Sequence, residues 1–126
     1  MTRIVLPVFA IAGLLISGGC DDAEYRAATT MTKGGDPKRG KAAMAAHGCA
    51  GCHTIPGVPG ADALVGPPLT RMGSRSYVAG VMKNTPENLV RWIQDPPAVD
   101  PLTAMPKLGV NEADARDIAS YLYTLR

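Results

Sequence analysis

The feature that most constrains this chain is the segment Cys49-Ala50-Gly51-Cys52-His53. Two cysteines enclose two small residues, and a histidine follows at once, which is the pattern of a covalent haem attachment site. Each thiol can add across one haem vinyl group, and the histidine then lies where its imidazole can bind the iron. Because the pattern needs both spacings at once, it is far more specific than a bare pair of cysteines. It predicts one covalent haem held by Cys49 and Cys52, with His53 as an iron ligand.

Three other interpretations of the same residues are weaker. A thioredoxin-like cysteine pair needs a preceding strand, whereas Lys41 to Ala46 predicts a helix. A zinc site would take His47 with the three residues of the motif, but these ligands are crowded together without a second cysteine pair. A disulfide between Cys49 and Cys52 would close a short, strained loop.

The composition is that of a small domain that needs a cofactor. The chain has 126 residues with one Trp and one Phe, so few aromatic side chains are available to fill a core. A buried porphyrin would supply the missing apolar volume. The formal net charge is +2, and such a balance predicts no nucleic-acid partner. The sequence carries no signal for an oligomer, so we expect a monomer.

Residues 1–19 predict a secretory signal peptide. Arg3 precedes an apolar run from Ile4 to Ile16, which is shorter than the roughly 20 residues of a membrane-spanning helix. Small residues directly before Cys20 resemble a bacterial lipobox, which implies a lipid anchor on that cysteine. The expected location is the periplasmic side of the bacterial inner membrane. Ordinary cleavage, giving a soluble periplasmic protein, and an uncleaved anchor are the alternatives.

The remaining chain divides into a tether and a domain. Residues 20–35 are polar and end in Gly34-Gly35, which predicts a flexible tether that spans on the order of 20 Å. Residues 36–126 form the predicted domain. Within it, Asp36-Pro37, Thr85-Pro86 and Asn111 predict helix starts, because each supplies a capping side chain. We also expect a short helix over Ser76–Met82 and an extended, proline-stiffened segment over Pro96–Pro106.

Two further residues are predicted to complete the haem site. A metal-binding histidine usually donates its other ring nitrogen to a backbone carbonyl, and Pro67 is the candidate for that carbonyl. The opposite axial position has several candidates, which are Met44, Met72, Met82, Met105 and His47. Met105 is favoured because a proline-rich loop holds it after two intervening helices. Met72 and Met82 remain alternatives, since methionine is more often core filling.

With these motifs in order, residues 36–126 resemble a class I cytochrome c. The resemblance rests on the following segments: Gly40-Lys41, Cys49-Ala50-Gly51-Cys52-His53, Gly66-Pro67-Pro68-Leu69, Glu87-Asn88-Leu89, Ala104-Met105-Pro106 and Ile118 to Leu122. It implies a small all-α fold of four to five helices around one covalent haem c, with the first and last helices crossing. It also implies Cys49 and Cys52 as thioether attachments, His53 and Met105 as axial ligands, and Pro67 as the partner of His53. Asn84 departs from the pattern, because the mitochondrial branch has a tryptophan there.

The function implied by the resemblance is one-electron transfer rather than enzymatic catalysis. Residues 52–60 and 84–93 resemble segments of bacterial membrane-tethered cytochromes associated with terminal oxidases. A quinol-oxidising complex or a dehydrogenase is the expected donor, and a terminal oxidase is the expected acceptor. The alternatives are a tightly bound haem subunit of an oxidase or dehydrogenase complex, and a haem enzyme or sensor with an open iron site. Seven basic residues are candidates for steering an acidic partner: Lys38, Arg39, Lys41, Arg71, Arg75, Lys83 and Lys107.

Overall fold

The computed structural model describes residues 19–126, and this part of the chain is predominantly helical. The fold class predicted from the sequence, a small all-α domain, is therefore confirmed. Among the described residues, no helix has the length and apolar character needed to cross a membrane. The predicted signal peptide lies outside the described residues apart from Gly19. The described residues form five α-helices, which are α1 Gly19–Met31, α2 Pro37–Ala46, α3 Pro86–Gln94, α4 Pro96–Val99 and α5 Glu112–Thr124.

Side-chain caps begin α2, α3 and α5 where the sequence predicted them. Asp36 Oδ1 accepts hydrogen bonds from the backbone N–H groups of the second and third residues that follow it, at 2.8 and 3.1 Å. Thr85 Oγ1 accepts from the N–H of Asn88 at 3.3 Å, and Asn111 Oδ1 accepts from that of Asp114 at 2.9 Å. These N–H groups have no acceptor within their own helix. Each cap supplies that acceptor and so stabilises the start of the helix.

The crossing of α2 over α5 is the centre of the fold. At Gly40 the two backbones approach so closely that an added Cβ would lie 1.9 Å from the carbonyl oxygen of Asp117. Beside it, the Asp117 carboxylate accepts from the N–H of Asp36 at 2.7 Å and from Arg39 Nε at 2.7 Å. The predicted apolar stripe of α5 is buried, with Ala115, Ile118 and Leu122 at 0, 1 and 3 % exposure. Leu89 and Ile93 of α3 are buried in the same core.

The segment expected to be a flexible tether is helical in the structure. Over residues 19–31 the chain forms α1, and its C-terminal end packs against the domain. Ala28 and Thr32 are 2 and 3 % exposed. The sequence did not predict this helix because it has no apolar stripe, and only two small side chains are buried at the contact.

A hairpin replaces the short helix that was predicted over Ser76–Met82. Strand β1, Tyr77–Val78, pairs antiparallel with β2, Met82–Lys83. The turn between them holds Ala79 and Gly80 at φ +51° and +76°. These left-handed backbone angles are incompatible with a continuing helix, and they suit a tight hairpin connection. The prediction of a helix here was wrong.

The proline-rich segment after α3 also begins with helix rather than with extended chain. Asp95 Oδ1 accepts from the N–H of Ala98 at 3.3 Å and caps the single turn of α4, Pro96–Val99. Proline fits the first turn of a helix because the missing N–H would have no partner there. The extended structure predicted over Pro96–Pro106 is therefore wrong for its first four residues, while residues 100–111 form a loop without helix or strand.

Candidate functional site

The cysteine motif lies directly after α2. The helix ends at Ala46, and Gly48 at φ +75° reverses the chain into a short 3-10 helix, Cys49–Gly51. Cys49 and Cys52 are half-buried, and neither forms a disulfide. Burial raises the pKa of the Cys49 thiol above its ordinary value. The end of α2 and the turn at Gly48 thus place Cys49 and Cys52 at the two ends of one short helical turn.

The imidazole of His53 is oriented by the loop that follows it. Its Nδ1 lies 2.7 Å from the carbonyl oxygen of Pro67, which is the pair that the sequence analysis put together. Because a carbonyl can only accept, Nδ1 carries the hydrogen and Nε2 keeps a lone pair for a metal. Gly66 packs against the ring, and a Cβ there would lie 2.4 Å from its Cε1. The sequence analysis noted Gly66 within a motif but missed this contact.

A second set of hydrogen bonds holds the loop itself. The N–H of Gly66 donates to the Cys52 carbonyl at 2.7 Å, and the N–H of Leu69 donates to the Thr54 carbonyl at 2.8 Å. Arg75 Nη2 donates to the carbonyls of Pro68 and Thr70 at 2.6 and 2.9 Å. These bonds lie on both sides of Pro67, so they fix the carbonyl that orients His53.

Asn84 connects the segment from Met72 to Arg75, which follows this loop, to the C-terminal helix. Its Nδ2 donates to the carbonyls of Met72 and Arg75 at 2.8 and 2.9 Å, and its Oδ1 accepts from the Tyr123 hydroxyl at 3.0 Å. Burial raises the pKa of Tyr123 to about 12. The residue that departs from the family pattern thus joins the segment around Arg75 to α5. No pattern in the sequence signals this role, because one asparagine has no periodicity.

We expect Asn84→Ala to destabilise the domain by about 2–3 kcal/mol, since three hydrogen bonds are lost and the Tyr123 hydroxyl loses its partner. The matched control is Asn88→Ala, which removes a single exposed side-chain bond to the Lys83 carbonyl. The control should lower the free energy of unfolding by about 0.5 kcal/mol or less. Urea unfolding midpoints measure both effects. Equal midpoints for the two variants would contradict a structural role for Asn84.

The structure separates the candidates for the second axial ligand. Met44 and Met72 are core residues at 1 and 5 % exposure, and Met82 packs against the same core. His47 Nε2 lies 2.9 Å from Asp114 Oδ2, so this side chain is engaged with α5. Met105 lies half-buried in the loop after α4.

The loop around Met105 is fixed by local hydrogen bonds. The N–H of Met105 donates to Thr103 Oγ1 at 3.1 Å, and the N–H of Thr103 donates to the Asp100 carbonyl at 3.0 Å. Lys107 forms an ion pair with Asp95 at the end of α3. A methionine held this way in a loop is available as a ligand without removal of any buried core side chain.

The residues present fit a covalently bound haem. Two unpaired thiols at the required spacing stand beside an imidazole whose Nε2 is left for a metal. Large apolar side chains are exposed in the loops that carry the candidate ligands, with Leu64, Val65 and Leu102 at 82, 81 and 94 % exposure. Apolar side chains in such loops suit the lining of an apolar cofactor. The fit rests on the donor set and on these exposed side chains.

Several of the predicted partner-steering cations have intramolecular roles. Arg39 binds Asp117, Arg75 binds loop carbonyls, and Lys107 binds Asp95. Their side chains therefore contribute to holding α2 and the two ligand loops. The docking role stays a prediction for the other four residues, which are Lys38, Lys41, Arg71 and Lys83.

Comparisons with known proteins cover the segment that carries these residues. Residues 37–126 match the family model described as Cytochrome c. The chain is 33% identical over 89 residues to cytochrome c oxidase subunit 2 of Alkalihalophilus pseudofirmus, which covers 70% of this chain and 25% of that protein. It is also 33% identical over 84 residues to cytochrome c oxidase subunit 2 of Bacillus subtilis, which covers 62% of this chain and 24% of that protein. The chain thus spans about a quarter of the length of these curated relatives. No solved structure matches it.

Proposed function

The chain belongs to the cytochrome c family, and on that premise we propose that it is a monohaem one-electron carrier of a respiratory chain, on the periplasmic side of a bacterial inner membrane. Cys49 and Cys52 hold the haem by thioether bonds, and His53 and Met105 are its axial ligands. The donor is a quinol-oxidising complex or a dehydrogenase, and the acceptor is a terminal oxidase.

The observation that carries this proposal is the orientation of His53. Its Nδ1 is bound to the Pro67 carbonyl at 2.7 Å, and Gly66 lies against the face of the ring. The imidazole thus has one tautomer and little freedom to rotate, and Nε2 is directed by the backbone rather than by a mobile side chain. A fixed ligand lowers the reorganisation that accompanies a change in iron charge.

The proposed ligand set favours electron transfer over catalysis. A haem bound in this way supplies a one-electron couple whose potential is raised by methionine ligation. With His53 on one side and Met105 on the other, both axial positions are taken by the protein. Substrates such as dioxygen then have no open coordination position, which argues against an enzyme or a gas sensor.

The relatives support an oxidase as the partner. Both are named cytochrome c oxidase subunit 2, and each shares with this chain a segment of about a quarter of its own length. The same observation favours a second candidate, in which this chain is a fixed haem subunit of an oxidase complex. Purification from gently solubilised membranes separates the two, because a fixed subunit stays with the oxidase at high salt and a mobile carrier does not.

Attachment to the membrane is proposed to occur through a lipid on Cys20. The support is the run of small residues before that cysteine, which follows a short apolar segment. An acylated N-terminus with more than one chain holds a protein stably on a bilayer. The alternative is a soluble periplasmic protein after ordinary signal cleavage.

The proposed function is tested by spectra of the purified full chain in both redox states. We expect sharp reduced bands, a mass increase of one haem that persists after denaturation, and oxidation of the reduced protein by oxidase-containing membranes. The double variant Cys49→Ser with Cys52→Ser should lose the covalent haem. A colourless wild-type protein would refute the haem assignment, and broad bands with rapid ligand binding to the reduced iron would move the function to catalysis or sensing.

A further inference from the structure

Helix α1 lies outside the segment that matches the family, yet it is packed on the domain. The family match begins at residue 37, whereas α1 covers Gly19–Met31. Ala28 is 2 % exposed and belongs to the core cluster, which also includes residues of α5. Burial, and next the nearby Tyr25, raise the pKa of Tyr121, so α1 also passes close to the C-terminal half of α5. The helix is an addition to the family's domain.

The C-terminal end of α1 is closed by backbone hydrogen bonds. The N–H of Gly34 donates to the Thr29 carbonyl at 2.9 Å, and the N–H of Lys33 donates to the Thr30 carbonyl at 3.2 Å. This pair of bonds is the Schellman motif, with Lys33 in the left-handed conformation at φ +54°. Thr32 is 3 % exposed, and its Oγ1 donates to the Ala28 carbonyl at 2.8 Å.

The residues between α1 and α2 are bound to the domain in turn. Ser120 Oγ of α5 donates to the Gly35 carbonyl at 3.0 Å, and the N–H of Asp36 donates to Asp117 Oδ1 at 2.7 Å. Lys33 Nζ lies 2.9 Å from Glu87 Oε1 of α3. From Ala28 to Asp36 the chain is thus held by buried side chains and by bonds to two helices. Hydrogen bonds and buried contacts thus run through the whole of this stretch, so it is not expected to act as a flexible hinge.

The backbone of residue 20 belongs to the first turn of α1. At 1.5 Å per residue, it lies about 12 Å along the helix axis from Ala28. A coil of the same region would let the domain turn in every direction about its attachment point. A docked helix instead fixes where the chain leaves the domain.

We propose that α1 is a rigid link that fixes the orientation of the domain, and with it the residues Cys49 and His53 proposed to hold the haem, relative to a lipid surface at which Cys20 is attached. This inference rests on the lipid attachment proposed above, and it does not depend on which redox partners are used. A link of this kind keeps the attachment point at one place on the domain surface, which limits the angles and heights that the haem can take above the bilayer. A rigid link therefore suits a redox partner that is embedded in the same membrane. A flexible tether would instead let the domain reach partners at several heights above the bilayer.

The test is linear dichroism of the haem bands in oriented membrane multilayers that contain the full chain. Ala28→Glu places a charge at the buried contact, and Ala27→Glu makes the same substitution at the exposed neighbouring position. Wild type and Ala27→Glu should show the same dichroic ratio, and Ala28→Glu should fall to the isotropic value. Amide exchange over residues 22–31 should accelerate only in Ala28→Glu.

A second variant protects the test against misfolding. Insertion of Gly-Ser-Gly-Ser after Met31 changes no residue of α2–α5, and it should also abolish the dichroism. Unchanged dichroism in both variants, or an isotropic wild type, would overturn the rigid link and leave the electron-carrier proposal intact. A Cys20 peptide without lipid by mass spectrometry would overturn it as well. Missing haem bands would instead refute the proposed function, and the exchange rates of α1 would then decide whether the helix is docked.

Discussion

Met105→Ala is expected to lower the reduction potential of the protein by on the order of 0.1 V or more, within the range of about 0.8 V that axial ligands span. Methionine stabilises the reduced iron because thioether sulfur is a soft, neutral ligand. The weak far-red band of methionine bound to oxidised iron should disappear with it. A potentiometric titration followed by absorbance measures both effects on one sample.

Met82→Ala is the matched control, because Met82 is a half-buried methionine that packs against the core. It should retain the far-red band and the potential while losing some stability, by less than the roughly 2–5 kcal/mol that truncation of a fully buried methionine costs. Loss of the band in Met82→Ala with retention in Met105→Ala would reverse the ligand assignment. The contrast is informative because Met82 was one of the alternatives that the sequence left open.

Short-range signals account for the parts of the structure that the sequence predicted well. A cap and a proline lie next to each other at Asp36-Pro37 and at Thr85-Pro86, and both helices begin there. The haem motif is equally local. Such features depend on residues within one turn, so tertiary contacts have little opportunity to override them.

The failures arise where tertiary contacts decide the structure. Helix α1 lacks an apolar stripe, and it is held by two small side chains together with the bonds at its end. The hairpin over Tyr77–Lys83 depends on a left-handed Ala79, which composition does not reveal. For isolated or weakly patterned segments, packing supplies most of the stability, and the sequence alone does not show which surface they meet.

The candidate site shows the same division. The thiols, His53 and Pro67 belong to motifs with fixed spacing, and the structure brings His53 and Pro67 into contact. Arg75 holds the same loop, and Asn84 binds the carbonyl of Arg75 in turn. The sequence indicates them only as a basic residue at the surface and as a departure from the family pattern. Their roles depend on carbonyl groups that the fold turns toward them, and a single polar side chain gives no sign of such partners.

Gly40→Ala is expected to destabilise the domain by about 2–3 kcal/mol, although alanine is the better helix former by about 1 kcal/mol. The added Cβ would lie 1.9 Å from the Asp117 carbonyl oxygen and 2.8 Å from the backbone nitrogen of Ile118. Both are backbone atoms of α5 and have no rotamer by which to retreat. The helices must therefore separate, which loosens the Asp117 hydrogen bonds and the packing of Ile118.

Ala45→Gly is the control for helix propensity, because it makes the reverse exchange at an exposed position of α2. It should lower the free energy of unfolding by about 1 kcal/mol or less. Thermal unfolding of the haem-loaded proteins measures both, with a shift of roughly 10–20 °C expected for Gly40→Ala. A Gly40→Ala protein as stable as the wild type would show that propensity outweighs the close approach. The expected result would show that the close approach of α2 and α5 at Gly40 outweighs helix propensity in the stability of the domain.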